Sequence, residues 1–203
     1  TDMIYVANWG SNTVSVINGK NYSEVADITV GSSPISIGVN PVTDRIYVVN
    51  FRDNTISVID GANNSVIATI PLSITEYCPA GVSIDSSTNM IYVTNGVGNT
   101  VTVINGNDNS IVTSAQISSG LNGAWGVVVN PITNIIYVTN EDQNIVSVIS
   151  GKILLSTLGY SNSLILSNVL VGKRPTVIAV NPYTNTVYVA NWGSNTVSVI
   201  NGA

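Results

Sequence analysis

The sequence predicts an all-β protein, a β-propeller of four-stranded antiparallel blades, with about 4–5 blades and incomplete terminal blades. Two observations predict this fold. A unit recurs five times along the 203 residues, with spacings of 42, 45, 45 and 51 residues between successive copies. Each full unit holds four short runs in which β-branched and aromatic residues alternate with polar ones, as in strands. Four antiparallel strands in roughly 45 residues, repeated in tandem, are typical of propeller blades.

Two adjacent strands of each unit carry the clearest repeat. The copies are "IYVANWGSNTVSVING" at Ile4, "IYVVNFRDNTISVIDG" at Ile46, "IYVTNGVGNTVTVING" at Ile91, "IYVTNEDQNIVSVISG" at Ile136 and "VYVANWGSNTVSVING" at Val187. A third run follows, as in "SVIATI", and then a fourth, as in "GVVVN". The chain is therefore expected to form one module over residues 1–203, with repeat units starting near residues 4, 46, 91, 136 and 187.

Turn residues support these strand boundaries. Asn-Pro follows the fourth run at Asn40, Asn130 and Asn181, and Asp85-Ser86 takes this place in the remaining full unit. Pro presets φ, and the Asn side chain can accept hydrogen bonds from the backbone ahead of it. Glycine ends the second repeat strand, where a positive φ is expected, at Gly19, Gly61, Gly106, Gly151 and Gly202.

The two ends of the chain carry the same 15 residues, at Tyr5 to Gly19 and at Tyr188 to Gly202. From the propeller axis outward, the predicted strand order is "VNP", "YVTN", "TVSVI" and "VIATI". The first unit therefore lacks its innermost strand and the last lacks its outermost strand. The repeated segment indicates tandem copies in a longer protein or head-to-tail assembly, whereas the alternative is recent duplication inside one closed ring. On the assembly interpretation, both terminal segments lie at or beside the contact between successive units.

Composition narrows the functions that fit. Six Lys or Arg stand against eleven Asp or Glu, so a nucleic-acid partner is not expected. No apolar run approaches the roughly 18 residues that span a membrane. Histidine is absent, which removes a common general base and metal ligand, and the single Cys78 cannot form an internal disulfide. Asn occurs 27 times, a composition that resembles extracellular repeat proteins more than cytosolic enzymes.

The motifs "IYVTN" and "NTVTVI" and the "VNP" turn resemble the YVTN β-propeller repeat, a family of surface-layer and other cell-surface proteins of archaea and bacteria. The resemblance covers nearly the whole chain in five copies. It departs from the family pattern at residues 152–162, which lengthen the fourth unit to 51 residues. The resemblance implies a propeller and an extracellular or cell-surface location, and it implies no particular chemistry.

Five loops lie between the two members of an asparagine pair spaced four residues apart, for which hairpin capping is the expected role: Asn8/Asn12, Asn50/Asn54, Asn95/Asn99, Asn140/Asn144 and Asn191/Asn195. These loops should share one propeller face with the crossings between blades. Aromatic and charged residues of that rim form a candidate partner face, comprising Trp9, Phe51, Arg52, Tyr77, Trp125, Glu141, Asp142, Lys173, Arg174 and Trp192. A recurring tyrosine is expected to pack between blades with its hydroxyl hydrogen bonded, at Tyr5, Tyr47, Tyr92, Tyr137 and Tyr188.

Two further features bear on surface chemistry. The sequons at Asn21 and Asn63 fall in equivalent loops and are candidate glycosylation sites if the protein is secreted. The insertion carries an apolar set that either folds back on its blade or is buried by a neighbour, and this candidate assembly contact comprises Ile153, Leu154, Leu155, Leu158 and Tyr160.

The sequence predicts no catalytic residues, cofactor or metal site. A glycosidase would need paired carboxylates, but Asp85 alone ends an innermost strand with a carboxylate, and a turn role explains it better. The expected function is a non-enzymatic structural module of an extracellular surface layer, sheath or filament, which self-associates head-to-tail or as tandem copies. The alternative is a ligand-binding or adhesive propeller that uses the aromatic loop face to contact glycans or other surface proteins. A weaker alternative is a propeller hydrolase or lyase.

Overall fold

The computed structural model describes residues 2–73, 78–117, 123–152 and 165–202, in which 18 strands form five antiparallel sheets. We number the sheets as blades 1 to 5 in chain order. Blade 1 comprises β1 (Met3–Asn8), β2 (Thr13–Asn18) and β3 (Glu24–Thr29). Blade 2 comprises β4 (Pro34–Asn40), β5 (Arg45–Asn50), β6 (Thr55–Asp60) and β7 (Ser65–Pro71).

The remaining blades repeat this pattern. Blade 3 comprises β8 (Pro79–Asp85), β9 (Met90–Asn95), β10 (Thr100–Asn105) and β11 (Ser110–Gln116). Blade 4 comprises β12 (Ala124–Asn130), β13 (Ile135–Asn140), β14 (Ile145–Ser150) and β15 (Ile165–Leu170). Blade 5 comprises β16 (Pro175–Asn181), β17 (Thr186–Asn191) and β18 (Thr196–Asn201).

The arrangement is the predicted β-propeller with incomplete terminal blades. The first strands of blades 2 to 5, namely β4, β8, β12 and β16, pack one against the next and are the innermost strands. Among the described residues, blade 1 has three strands without this innermost one, and blade 5 has three strands without an outermost one. In the described residues, blades 1 and 5 do not pack together as successive blades do, so the sheets do not close into a ring.

Apolar side chains collect in four clusters within the described residues, one between each pair of successive blades. The cluster between blades 1 and 2, for example, joins Val14 and Val16 to Ile46 and Val48, all of them fully buried. Side chains alternate across each strand, so every blade has two apolar faces. We call the face toward the following blade the forward face and the opposite one the rear face. Each cluster joins the forward face of one blade to the rear face of the next.

The recurring tyrosine packs on the forward face, as predicted, wherever a described blade follows it, and Tyr5 is half-buried against blade 2. Tyr47, Tyr92 and Tyr137 are buried, whereas Tyr188 of blade 5 is 45% exposed. The predicted hydrogen bond of the hydroxyl is wrong for these three buried tyrosines, because no described residue partners their hydroxyl oxygens. Burial and the charge of Asp85 raise the pKa of Tyr92 to about 12. Burial also raises the pKa values of Tyr47 and Tyr137.

The turn predictions are partly right. Asn40 accepts the backbone N–H of Val42 at 3.0 Å, which is the predicted Asn-Pro turn bond. The prediction of positive φ at the glycines that follow β2, β6, β10, β14 and β18 is wrong, because only Gly98 and Gly123 have positive φ among the described glycines. Close approach explains these glycines instead: a Cβ on Gly19 would lie 2.5 Å from Oδ1 of Asp2.

Candidate functional site: the open blade faces and the loop rim

The asparagine pairs organise the loops that form the rim. The second Asn of each pair adopts a left-handed backbone, with φ between 53° and 61°, at Asn12, Asn54, Asn99, Asn144 and Asn195. In blades 1, 2, 3 and 5 the first Asn closes the hairpin with its side chain; Nδ2 of Asn50, for example, donates to Thr55 and Ser57 at 3.0 and 2.8 Å. In blade 4, Oδ1 of Asn140 accepts the N–H of Gln143 in its own loop at 3.2 Å, and its Nδ2 donates to Oδ1 of Asn99 in blade 3 at 2.9 Å. Asn tolerates this conformation better than other residues with a Cβ. The predicted hairpin capping is confirmed.

Several rim residues predicted for the partner face do come together. The rings of Trp9 in blade 1 and Phe51 in blade 2 lie with centroids 5.4 Å apart. Across the molecule, Nε of Arg174 donates to Oε1 of Glu141 at 2.7 Å, and its guanidinium lies 4.3 Å from the ring centroid of Trp192. The described rim therefore carries an aromatic pair on blades 1 and 2, and a group of one tryptophan, one arginine and one glutamate on blades 4 and 5.

Other predicted rim residues stand apart from these two groups. Arg52, Asp142 and Lys173 are exposed, and the described contacts place none of their side chains in either group. Trp125, which the rim prediction assigns to a crossing between blades, lies inside β12, so this assignment is wrong. Its carbonyl accepts a hydrogen bond from Oγ1 of Thr94 at 2.5 Å, and its side chain is half-buried. Tyr77 lies outside the described residues.

Blade 5 presents an uncovered forward face. Its side chains are Ala179, Tyr188, Ala190, Val197 and Val199, and all five are exposed. Val197 and Val199 are 63% and 62% exposed, although Val14 and Val16, their counterparts in the identical segment of blade 1, are fully buried. The same sequence is thus covered in one blade and uncovered in the other. We call these five residues the open forward face.

Blade 1 presents the complementary opening. Ile4 and Val6 on its rear face are 43% and 40% exposed, whereas their counterparts Val187 and Val189 in blade 5 are fully buried against blade 4. We call the pair Ile4 and Val6 the open rear face. Each open face belongs to a type of interface that the molecule already forms four times in its described residues.

A cavity of about 360 Å³ adjoins the open forward face. Its lining consists of Thr176, Ala190, Asn191, Trp192, Asn195, Thr196 and Val197. In blade 1 the residues equivalent to Trp192 and Asn195 are Trp9 and Asn12, which contact Phe51 and Ser33 of blade 2. The cavity therefore lies where a following blade would place its crossing and its rim loop.

Neither a family model nor a curated protein matches this chain. Solved structures do. A functionally unknown protein from Desulfotomaculum acetoxidans DSM 771 is 18% identical with a TM-score of 0.75, over 98% of this chain and 65% of that protein. Dihydro-heme d1 dehydrogenase NirN in complex with DHE is 13% identical with a TM-score of 0.72, over 99% of this chain and 42% of its own. Kuenenia stuttgartiensis hydrazine synthase is 13% identical with a TM-score of 0.56, over 100% and 93%.

These likenesses concern the fold. This chain spans less than two thirds of the Desulfotomaculum protein and less than half of NirN. At such identities the shared feature is the arrangement of propeller blades, and the chemistry of a propeller protein lies in its particular site residues.

The enzyme alternative requires Asp85 to be paired with a second carboxylate. It is 1% exposed, and its Oδ1 accepts the N–H and hydroxyl of Ser87 at 2.9 and 2.6 Å. These are turn contacts, as predicted. In the described part of the chain, no three His, Cys, Asp or Glu side chains are grouped so that they could hold a metal ion. That part also contains no helix long and apolar enough to cross a membrane.

The two sequons occupy exposed turns of the same geometry. Oδ1 of Asn21 accepts the N–H and the hydroxyl of Ser23 at 3.1 and 2.8 Å, and Asn63 does the same with Ser65 at 3.1 and 2.6 Å. In blade 3, Asp108 takes this place and binds Ser110, whose hydrogen bonds hold the pKa of Asp108 below its usual value. The turn itself therefore accounts for the Asx-x-Ser pattern, and glycosylation of Asn21 and Asn63 stays a prediction.

The apolar set of the insertion, residues 153–160, lies outside the described residues. For the terminal segments, the sequence prediction names the stretches but does not separate their two faces, and their part in assembly stays a prediction. A sequence signal for the two faces does exist. Alternate residues of "TVSVI" point to opposite faces, so Val197 and Val199 share the forward face, and Ser198 and Ile200 share the rear face.

Proposed function

We propose that the protein is a non-enzymatic structural module of an extracellular surface layer, sheath or filament, and that modules associate through their end blades. The observation that carries this proposal is the pair of open faces, one forward and one rear, on opposite ends of the row of blades. A contact between two different surfaces of identical units leaves one surface of each type free at the ends of the assembly. Further modules can therefore add, and the assembly grows into a chain of modules. The YVTN-like repeat and the surface sequons support the extracellular part of the proposal.

The physical basis is the exposed apolar area at the end of the molecule. Tyr188, Val197 and Val199 of the open forward face are each 45% or more exposed on adjacent strands. Contiguous exposed apolar patches on soluble proteins mark interaction surfaces more often than isolated apolar residues do. The face carries no charged side chain, so a partner needs apolar complementarity and no counter-charge.

The test is self-association of the purified chain, measured by sedimentation velocity over a range of concentrations and by electron microscopy. Val199→Lys places an ammonium group on the open forward face and should weaken self-association by at least about 100-fold. Val42→Lys is the matched control, because Val42 is 73% exposed in the turn after β4, away from both open faces. Wild-type chains that stay monomeric, or equal behaviour of the two variants, would overturn the proposal.

A second candidate function is adhesion through the loop rim, supported by the exposure of Trp192 and Trp9, at 63% and 44%. Aromatic rings with a neighbouring cation, as at Trp192 and Arg174, are typical of recognition surfaces. Titration with oligosaccharides, followed by tryptophan fluorescence, tests this candidate. Binding that Trp192→Ala abolishes, while self-association stays unchanged, would favour adhesion over assembly.

A further inference from the structure

The hairpins β1–β2 and β17–β18 share every residue from Tyr5 and Tyr188 onward, but only the first is covered on its forward face and along the edge of its second strand in the described residues. In blade 1, β3 pairs with the edge of β2, and blade 2 covers the forward face. In blade 5, both the edge of β18 and the forward face lack these neighbours in the described residues. Whatever binds the first hairpin therefore has an identical binding surface at the second.

Specific contacts define what that surface binds. In blade 1, Asn12 accepts hydrogen bonds from the N–H of Ser33 through its side chain, at 2.8 Å, and from the N–H of Val30 through its carbonyl, at 3.0 Å. The register of β2 on β3 pairs Thr13 with Thr29 and Val14 with Ile28. Blade 5 offers the same groups on Asn195, Thr196 and Val197, and these three residues line the 360 Å³ cavity.

We propose that two copies associate by exchanging a segment: β3 and blade 2 of one copy bind the β17–β18 hairpin of another copy in place of their own β1–β2 hairpin. This inference rests on the proposed self-association and specifies its partner surface. All contacts between blades 1 and 2 that involve residues 5–19 would be remade by residues 188–202. Thr196 would pair with Thr29, and Trp192 would take the place of Trp9 beside Phe51.

The exchange also completes a blade. In the part of the chain that the structure describes, blade 1 has no innermost strand and blade 5 has no outermost one, so β16, β17 and β18 of one copy and β3 of the other form a blade of four strands. Its innermost strand, β16, then lies beside β4 of the second copy, and successive innermost strands pack together throughout the described molecule. The exchanged form thus gains a strand contact that blade 1 cannot make.

The exchange requires the loop between β2 and β3 to open, and this loop contains an unfavourable backbone conformation. Residues 19–23 join β2 to β3, and Tyr22 within them has φ of 59°. Asn64 and Asn109 hold the same conformation in blades 2 and 3, where Asn tolerates it better than an aromatic residue. Strain in a short hinge favours exchange of the element that it connects.

The identical hairpins permit a matched pair of substitutions with opposite expected effects. Val14→Ala removes apolar contacts between blade 2 and its own β1–β2 hairpin. The β17–β18 hairpin of another copy then competes more effectively, so self-association should tighten by about tenfold. Val197→Ala removes the same two carbons from the competing hairpin and should weaken self-association by about tenfold. Both full-length variants are compared with the wild type by sedimentation equilibrium after prolonged incubation, since opening of blade 1 is required.

Direct docking of the open forward face on the open rear face gives different results. In that arrangement Val14→Ala leaves self-association unchanged, and Val6→Ala weakens it as much as Val197→Ala does. That outcome would overturn the exchange and leave the proposed function standing. A wild-type chain that is monomeric at all concentrations would overturn both.

A disulfide test gives a second readout in a Cys78→Ser background. Thr29→Cys combined with Thr196→Cys should yield disulfide-linked dimers and longer species, because the exchange pairs these positions across two chains. Thr29→Cys combined with Thr13→Cys should yield a monomer that no longer associates, because β3 is then held by its own β2. Monomeric product from the first variant would overturn the exchange.

Discussion

At the scale of single residues, the asparagines of this protein serve the backbone. Fifteen described residues other than glycine have positive φ, and ten of these are Asn. Asn adopts the left-handed conformation at lower cost than most residues with a Cβ, and its amide closes the adjoining turn. The high Asn content, which resembles that of extracellular repeat proteins, is therefore also explained by the tight turns that five blades require.

Tyr22 is the one aromatic residue among the described residues with positive φ. It therefore permits a test of whether Asn lowers the cost of this backbone conformation. Tyr22→Asn should raise the free energy of unfolding by about 1 kcal/mol, because Asn relieves the strain and Tyr22, at 78% exposed, loses little packing. The reciprocal change, Asn64→Tyr in the same turn of blade 2, should lower it by a similar amount. Urea denaturation measures both. Equal stabilities of the two variants would show that residue type does not set the strain of this turn.

At the scale of elements, the spacing of neighbouring innermost strands depends on glycine. Gly81 in β8 and Gly126 in β12 lie so close to the next blade that a Cβ has no room. A Cβ on Gly81 would lie 2.6 Å from the carbonyl oxygen of Trp125, a backbone atom that cannot move aside. In the same region, Oγ1 of Thr94 in β9 accepts the N–H of Gly81 at 2.8 Å and donates to that carbonyl, so it links the innermost strands of blades 3 and 4.

Gly81→Ala should therefore lower the free energy of unfolding by about 1–3 kcal/mol, since the added methyl forces the innermost strands of blades 3 and 4 apart. Gly10→Ala is the matched control: a Cβ there would meet no atom within 4 Å. The control should change stability by less than about 0.5 kcal/mol. Thermal unfolding followed by circular dichroism compares the two, and a Gly81→Ala protein as stable as the control would contradict the close approach of these strands.

The sequence predicts the strands well because their signal is local. Alternation and turn residues gave four strands in each full unit and the missing strand at each end, as observed at β1 and β18. Three predictions failed because they depended on the three-dimensional surroundings of a residue, which a local sequence pattern does not give. The glycine after β2 is required by the distance to Asp2, the hydroxyl of Tyr92 packs without a partner among the described residues, and Trp125 lies in a strand. A repeat unit read alone does not contain these distances.

At the scale of the whole molecule, the core is divided into clusters that each join only two successive blades. A row of units held by neighbour contacts gains stability from each interface separately. Within the described ranges, each end blade has one such interface and each middle blade has two. The open faces that carry the assembly proposal are therefore also the places where the described row of blades is least stabilised.

Each of the three interfaces that follow blades 2, 3 and 4 contains one buried tyrosine with a raised pKa, which makes the row sensitive to alkali. In the unfolded chain Tyr92 loses its proton near pH 10.0, but in the folded protein it does so only near pH 12. Between these values the folded state binds more protons than the unfolded state. Stability is therefore fully present below about pH 10 and falls as the pH rises toward 12.

Tyr92→Phe should remove the share of this loss that belongs to the interface between blades 3 and 4. About pH 11 lies one unit above the ordinary pKa of 10.0 and still below the folded value, so the variant should lose roughly 1.4 kcal/mol less stability than the wild type between about pH 8 and about pH 11. Urea denaturation at about pH 8 and about pH 11 gives the comparison, with the 90% exposed Tyr183→Phe as the control. At neutral pH the Tyr92→Phe protein should be at least as stable as the wild type, since the buried hydroxyl has no partner among the described residues. An unchanged alkaline loss in Tyr92→Phe would show that the interface opens before this tyrosine ionises.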